Sequence, residues 1–234
     1  MGSFCIIPAR GGSKRIRGKN GKKFCGKPMI AWSIEAAKAS GCFDKIIVST
    51  DDHEIAEVAQ QWGAEVPFLR PSNLADDYTG TLPVIHHAVQ WLQDHDFGVD
   101  YACCLYATAP FVSAQDLQRG WQLIEEASIS YAFSVTSYAF PIQRAIRITE
   151  DGRISMFNPE HCQTRSQDLE EAWHDAGQFY WGTANAWLEE KPIFADDSAP
   201  VKLPRHRVQD IDTLEDWARA EWLFKAMQAK AEAK

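Results

Sequence analysis

Three short apolar runs, FCIIP (residues 4–8), KIIVST (45–50) and YACCLY (101–106), separated by segments with helical punctuation, constrain this chain more than any other feature. Continuous apolar runs of this length are what strands covered on both faces require. Between them Pro28 opens a helix at a position where its missing N–H costs nothing, Ile30, Ile34 and Ala37 line one face, and Gly41 stops it. Asp51 and Asp52 introduce an acid-capped helix ending at Gly63, residues 66–69 read as a short third strand, and a further helix spans about 81–92. The capping box Ser113-x-x-Asp116 opens another. Strands alternating with helices predict an α/β chain with a mostly parallel sheet, right-handed crossovers and helices on both faces. At 234 residues and 45% apolar content, the chain is sized for one domain with a substantial core.

The rhythm breaks after Ser134. RAIRITEDGRISMF alternates around Asp151-Gly152, a good hairpin turn, and the polar stretch that follows makes residues 140–177 an antiparallel insertion or arm. The parallel core is expected to resume at residues 178–182. A last helix begins after Thr213, with Asp216 as capping partner, and runs through Trp217, Ala220, Leu223 and Phe224. The nine tryptophans, Trp217 and Trp222 among them, are assigned mainly to the core, and the Ala/Lys-rich tail is expected to fray.

Charge is unevenly spread. Residues 1–34 hold eight of the 24 Lys and Arg and none of the 32 acids, so the net charge of −8 divides into a strongly basic start and an acidic remainder. A focused cationic loop on an acidic body suits a small polyanion such as a nucleotide; a long nucleic acid would be repelled by the rest of the surface. The six cysteines show no C-x-x-C pair and several sit in apolar runs, the usage of a reduced, cytoplasmic protein. No apolar stretch approaches the roughly 18 residues of a membrane span.

The basic loop is IIPARGGSKRIRGKN, residues 6–20. A strand that ends in Gly-Gly-Ser at the carboxyl edge of a parallel sheet sits where such folds bind ligands. Gly11 and Gly12 can take positive φ and present backbone N–H groups to an anion, Lys14 and Lys19 add point charges, and Arg10 adds a bidentate fork. A mobile, solvated basic loop is the alternative. GKKFCGK (21–27) matches the spacing of a P-loop, but Pro28 stands where a magnesium-ligating Ser or Thr belongs and no strand precedes it. The G-x-G-x-x-G of a dinucleotide site is absent as well. Far along the chain, in VQDIDTLEDW (208–217), an extended backbone puts Asp210 and Asp212 on one side and Ile211 on the other. Two carboxylates opposite phosphates would suit Mg2+; otherwise Asp212 and Thr213 are helix-entry residues and Asp210 a solvated charge. His86 and His87, adjacent on a helix, face different ways and cannot share a ligand.

IPARGGSKRIRGKN, KPMIAWSIEAA, KIIVSTDDHEIAEVAQQWGAEVPFLRP and DIDTLEDW resemble, in order, the cytidylyltransferases that activate acidic sugars, the CMP-sialate and CMP-Kdo synthetase group. DDYTGTLPVIHHA, ATAPF, FYWGTANAW and LPRHRVQDIDT are most similar to the branch that makes CMP-pseudaminic acid. The resemblance implies a Rossmann-like nucleotidyltransferase fold with an antiparallel dimerisation arm. It implies CTP and an acidic nine-carbon sugar as partners, with CMP passing to the sugar's anomeric hydroxyl and pyrophosphate leaving. The same reaction on sialic, legionaminic or Kdo acid is the alternative, and a non-enzymatic polyphosphate or nucleic-acid binder a distant one. Carried over by position, Ala9, Gly11, Gly12, Ser13, Lys14, Asn20, Arg70 and Thr81 would bind nucleotide, although Thr81 alone reads as a helix cap. Arg10 and Lys19 would neutralise charge at the α-phosphate, and Asp210 and Asp212 would hold Mg2+. On the sugar side QPTSPLR is replaced by YATAPFV, with Tyr106 for Gln and Val112 for Arg, which implies a different acceptor. TRSQDLEEAWHDAGQFYWG places Arg165 near the substrate carboxylate and Gln178 and Tyr180 at the sugar pocket, where Tyr180 as a plain core aromatic stays open. In the resembled enzymes the arm crosses to a second copy, so a homodimer is expected.

Overall fold

A computed structural model describes residues 1–232. The three apolar runs form β1 (Ser3–Pro8), β4 (Lys45–Ser49) and β5 (Tyr101–Leu105), with the two-residue strands β2 (Lys23–Phe24) and β3 (Lys27–Pro28) between the first two. Helix α1 (Met29–Ser40) starts after Pro28 and stops where Gly41 turns left-handed, at φ 65°. α2 (His53–Gln61) starts on the side chain of Asp52, which accepts the amides of Glu54 and Ile55. α3 spans Thr81–Asp94, and α4 (Ala114–Glu126) is capped by Ser113 as its capping box predicts. β6 (Tyr131–Ser137), the arm hairpin β7 (Ile146–Ile148) and β8 (Ile154–Met156), β9 (Trp173–Thr183), α5 (Ala184–Leu188), β10 (Ser198–Lys202) and α6 (Leu214–Glu232) complete the order.

Six strands form one sheet in the order β10-β6-β9-β5-β1-β4. Successive residues of β1 feed opposite layers: Cys5 and Ile7 pack with Ile30, Ile34, Leu117 and Ile124, while Phe4 and Ile6 pack with Ile85, Val89 and Leu92. The period of two thus builds a three-layer α/β/α core with α1 and α4 on one face and α3 on the other.

Several expectations are corrected. β9 runs antiparallel to both β5 and β6, where the sequence reading resumed a parallel core. The chain leaves the end of β6, makes the arm there and returns at the same end, so without a helical crossover the next strand must reverse. β9 also begins at Trp173, which shortens the arm, and the hairpin within it turns at Asp151-Gly152 as expected. Residues 66–69 are no strand; the chain there makes only isolated bridges, Glu65 with Ile47 of β4 and Leu69 with Thr50 just past its end. β10 escaped notice because it is an edge strand that carries Pro200. On α6, Trp217, Ala220 and Phe224 pack inward, whereas Trp222 is 70% exposed, because five residues at 100° each turn it away from Trp217's face. The tail stays helical to Glu232, and the end of the predicted fraying segment, residues 233–234, lies outside the described residues.

The match to a P-loop is resolved: residues 23–28 fold as a β2–β3 hairpin turning through Cys25 and Gly26, both at positive φ, and open no phosphate loop.

A third cluster positions the site. Ile16 of the basic loop, Ile211 between the two aspartates, Phe24, Met29, Phe111 and the inner face of α6 bury one another. Each isoleucine is worth about 1.5–3 kcal/mol on burial, enough to hold two segments together that lie nearly the whole chain apart.

Candidate active site

At the carboxyl end of β1 and β5 a cavity of about 460 Å3 is walled by Arg10, Ser13, Lys14, Arg15, Lys19 and Asn20 on one side and by Arg70, Thr81 and Tyr106 on the other. The loop is anchored from within: buried Asn20 donates through Nδ2 to the Arg10 carbonyl at 2.9 Å, and its own carbonyl accepts the Ile30 amide at 3.0 Å. Arg70 is buried, donating through Nε to Ser49 Oγ at 3.1 Å and through Nη2 to the Ser49 carbonyl. Burial pushes its guanidinium down to about 10, opposed by the Asp51 carboxylate, so it remains a cation at neutral pH. The amino end of α3 faces the same cavity through Gly80 and Thr81 and has no side-chain cap, which leaves its N–H groups and positive dipole end free for an anion.

Lys19 joins the two ends of the chain. Its Nζ lies 2.6 Å from the Ile211 carbonyl and 3.4 Å from Asp212 Oδ1, and Arg15 Nη1 lies 2.8 Å from Asp212 Oδ2. Ile211 is 1% exposed, so the extended backbone turns Asp210 and Asp212 outward together, as alternation predicts. Partial burial raises the Asp210 carboxyl above the ordinary carboxylate range, the Asp212 charge adds to that, and Lys19 works against it. Neither aspartate lines the cavity, but both stand on the segment that Lys19 and Arg15 of its wall contact, and two neighbouring carboxylates there are a donor set that a hard divalent cation fits, with phosphate oxygens and water completing its coordination. No cluster of three or more His, Cys, Asp or Glu suited to a metal exists among the described residues, so protein ligands alone would not complete such a site.

The glycines act differently from expectation. Neither Gly11 nor Gly12 has positive φ, and neither lines the cavity, nor does the fully buried Ala9. The Gly11 amide donates to Asp51 Oδ1 at 3.0 Å, and a Cβ there would stand 2.4 Å from Asp52 Oδ2. Gly11 is small because the cap of α2 passes over it. Thr81 does not cap α3 either: Gly80 is the cap residue, and the Thr81 hydroxyl shares a 2.8 Å hydrogen bond with Tyr106 Oη.

A second cavity of about 320 Å3 shares Gly80, Thr81 and Tyr106 with the first and is completed by Pro83, Asp175, Tyr180 and Phe194. Tyr180 hydrogen-bonds Asp175, and burial with the neighbouring Tyr106 and Asp175 pushes its phenol far above the usual range; burial likewise takes Tyr106 to about 12. Both tyrosines are therefore neutral hydrogen-bonding groups. Gln178 is not at this pocket: it is 3% exposed, with Nε2 donating to the Arg207 carbonyl at 2.6 Å. Arg165 is not there either, but out on the arm in a fork with Asp168. His86 and His87 line a separate cavity.

Three residues escaped the sequence reading. Asp77 accepts Arg10 Nη1 at 2.6 Å and pairs with Lys14, Arg15 binds Asp212, and Asp175 holds Tyr180. Arg15 carried a signal, its place in the basic loop; Asp77 and Asp175 lie in the quoted segments DDYTGTLPVIHHA and TRSQDLEEAWHDAGQFYWG, but nothing in their spacing marked them out from the neighbouring acids.

A family model described as cytidylyltransferase matches residues 4–220. The chain belongs to that family. It is 46% identical over 231 residues to pseudaminic acid cytidylyltransferase of Campylobacter jejuni subsp. jejuni serotype O:2, an alignment covering 99% of this chain and 100% of that one. Against CMP-N,N'-diacetyllegionaminic acid synthase of Legionella pneumophila it is 34% identical over 238 residues, covering 97% and 98% of the two chains. The solved structure of CMP:2-keto-3-deoxy-manno-octonic acid synthetase complexed with CTP superposes with a TM-score of 0.72 at 15% identity, covering 97% of this chain and 100% of that one, which establishes a shared fold. Family membership makes the chain a nucleotidyltransferase, and no helix among the described residues is long and apolar enough to cross a membrane.

Proposed function

We propose that the chain transfers CMP from CTP to the anomeric hydroxyl of pseudaminic acid, giving CMP-pseudaminic acid and pyrophosphate. The full-length likeness to a relative of that name supports the acceptor, and the sugar side of the site departs from the sialate pattern at Tyr106. The observation that supports the reading most is the contact of Lys19, a residue of the cavity wall, with both the Ile211 carbonyl and Asp212, which brings the aspartate segment up to the cationic loop although neither aspartate lines the cavity itself.

The reaction is an in-line displacement at the α-phosphorus, so positioning and charge neutralisation supply most of the catalysis. Ser13 and Lys14 would hold the β- and γ-phosphates, and Arg10 and Lys19 would meet the charge that develops at the α-phosphate. Asn20 and Arg70 would contact nucleotide from opposite walls. Asp210 and Asp212 would hold Mg2+, which when bound supplies charge neutralisation across the phosphates. Tyr106, with Thr81 fixing its hydroxyl, and Tyr180 with Asp175 would orient the sugar across the shared wall of the two cavities. Gly11 would act by keeping the loop close to the cap of α2. The arm carries exposed Phe140, Ile148, Ile154 and Phe157, an apolar surface suited to a second copy, through which Arg165 would reach the sugar carboxylate of the neighbouring site.

A coupled pyrophosphate-release assay with CTP, Mg2+ and a panel of pseudaminic, legionaminic, N-acetylneuraminic and Kdo acids tests the proposal. Turnover highest with pseudaminic acid is expected; rapid turnover of N-acetylneuraminic acid with none of pseudaminic acid would reject the acceptor.

A further inference from the structure

Among the described residues Asp116 is the one buried carboxylate, 2% exposed in the first turn of α4. Its capping box needs only Ser113, whose Oγ accepts the Asp116 amide at 3.3 Å and donates to Oδ2 at 2.6 Å. Yet two arginines also reach it. Arg207 closes a bidentate fork, Nη1 2.6 Å from Oδ2 and Nη2 3.0 Å from Oδ1, and Arg119 approaches Oδ1 from the same helix. Burial pushes the Asp116 carboxyl up, but the hydrogen bonds from Arg207, Ser113 and Arg119 outweigh it and leave it below the ordinary range.

Stability alone is a poor reason for this arrangement, because a buried ion pair is often no better than apolar groups of the same volume; its distinctive property is fixed geometry. What it fixes is the segment leading to the aspartates. The Arg207 carbonyl is clamped by Gln178 Nε2 of β9, so that one residue is tied to a helix through its guanidinium and to the sheet through its backbone. Asp210 follows three residues later. On the far side, Ile211 is buried in the third cluster, and the Asp216 carboxylate accepts the amides of Asp212 and Thr213 at 3.2 and 2.8 Å. The carboxylates thus hang on a short extended span held at both ends.

We infer that Asp116 and Arg207 form a positioning pair that sets where the Asp210 and Asp212 carboxylates stand relative to the Arg10–Lys19 loop, and so tunes the affinity of the site for its divalent cation. The inference rests on the metal-binding reading of those two aspartates proposed above. Neither Asp116 nor Arg207 touches the cavity; their effect passes through the backbone of residues 207–210.

The test compares Arg207→Met, Asp116→Asn and Asp210→Asn. Retention of Mn2+ in the presence of a non-hydrolysable CTP analogue is followed by electron paramagnetic resonance, and turnover by Mg2+ titration. Arg207→Met and Asp116→Asn should each weaken Mn2+ retention and raise the Mg2+ concentration for half-maximal turnover by about tenfold or more, the usual cost of removing a group that orients metal ligands. The KM for CTP at saturating Mg2+ should stay within about twofold, a split that general destabilisation would not produce. Should Arg207→Met fail to fold, Asp116→Asn, which keeps the shape and the Ser113 contacts, carries the same reading. Wild-type Mn2+ retention in the folded variants, with Asp210→Asn losing both binding and turnover, would overturn the positioning pair alone; an Asp210→Asn protein that still binds Mn2+ and turns over would overturn the metal assignment beneath it.

Discussion

The cationic loop and the arm are both irregular, both leave the sheet at its carboxyl ends, and differ in how much of their surface finds a partner within the chain. The loop is tied down at every few residues: Gly11 to Asp51, Asn20 to the Arg10 carbonyl, Ile16 into an apolar cluster, Lys19 to the Ile211 carbonyl. The arm bonds largely to itself, the Tyr138 amide to the Ala172 carbonyl and Gln143 to the Glu170 carbonyl, and is met from the body at its base, where Arg205 Nη1 donates to the Tyr138 carbonyl at 3.2 Å. Its hairpin turns Ile148 and Ile154, cross-strand partners, into solvent at 78% and 70% exposure. The proposed nucleotide site is therefore assembled within one chain, whereas the arm has apolar surface that the described residues do not cover.

The sharpest break of that comparison is at Lys19. Its substitution by Met removes the cation proposed to meet the α-phosphate and the bond to the Ile211 carbonyl, while leaving Ile16 and Ile211 to hold the segments together. Turnover should fall about 10²–10³-fold, the usual cost of a lost charge-stabilising donor, with the melting temperature within a few degrees of the parent. Turnover near the parent's would mean that the loop's anchoring is structural only.

For the arm the expected effect is on association. Ile148→Lys together with Ile154→Asp puts opposite charges on an exposed cross-strand pair, so the folded monomer should be unharmed. If this face meets a second copy, a dimer seen by sedimentation velocity should dissociate at protein concentrations about 30-fold higher than for the parent, a shift that truncating anchor residues commonly gives. Turnover per chain should fall as the protein is diluted below that point. An unchanged sedimentation profile on dilution would assign the arm's apolar face to something other than self-association.

The same contrast governs what the sequence made legible. β1, β4 and β5 could be read directly because strands buried on both faces must be apolar throughout, and α4 because Ser113 and Asp116 declare its start. The direction of β9 could not, since pairing direction depends on where the arm returns and leaves no mark in the residues of the strand. The basic loop was conspicuous as a charge imbalance, yet its meeting with Asp212 depends on Ile16 and Ile211 sharing one cluster, two isoleucines indistinguishable in sequence from any others. Gly11 was noticed for flexibility and kept for size, because the close pass of Asp52 exists only in three dimensions. Gln178 reads as a sugar contact by resemblance but spends its amide on Arg207, a bond between strand and loop that spacing does not encode.

The smallest effect concerns Asp77, which sharpens the account of the loop. In this structure its carboxylate is the acid that Arg10 and Lys14 bind, and their hydrogen bonds hold it below the ordinary carboxylate range. If a triphosphate takes the same two cations, as proposed, its binding exchanges one anion for another. Because Asp77 is at the surface and the exchange takes place partly in water, the competition is weak: Asp77→Asn should lower the KM for CTP about two- to fivefold with little change in kcat. Added salt screens the competing pair in the parent more than in the variant and should narrow the gap. A rise in KM would mean that Asp77 instead holds Arg10 and Lys14 in the posture that phosphate requires; the loop would then depend on residues 76–80 for its order.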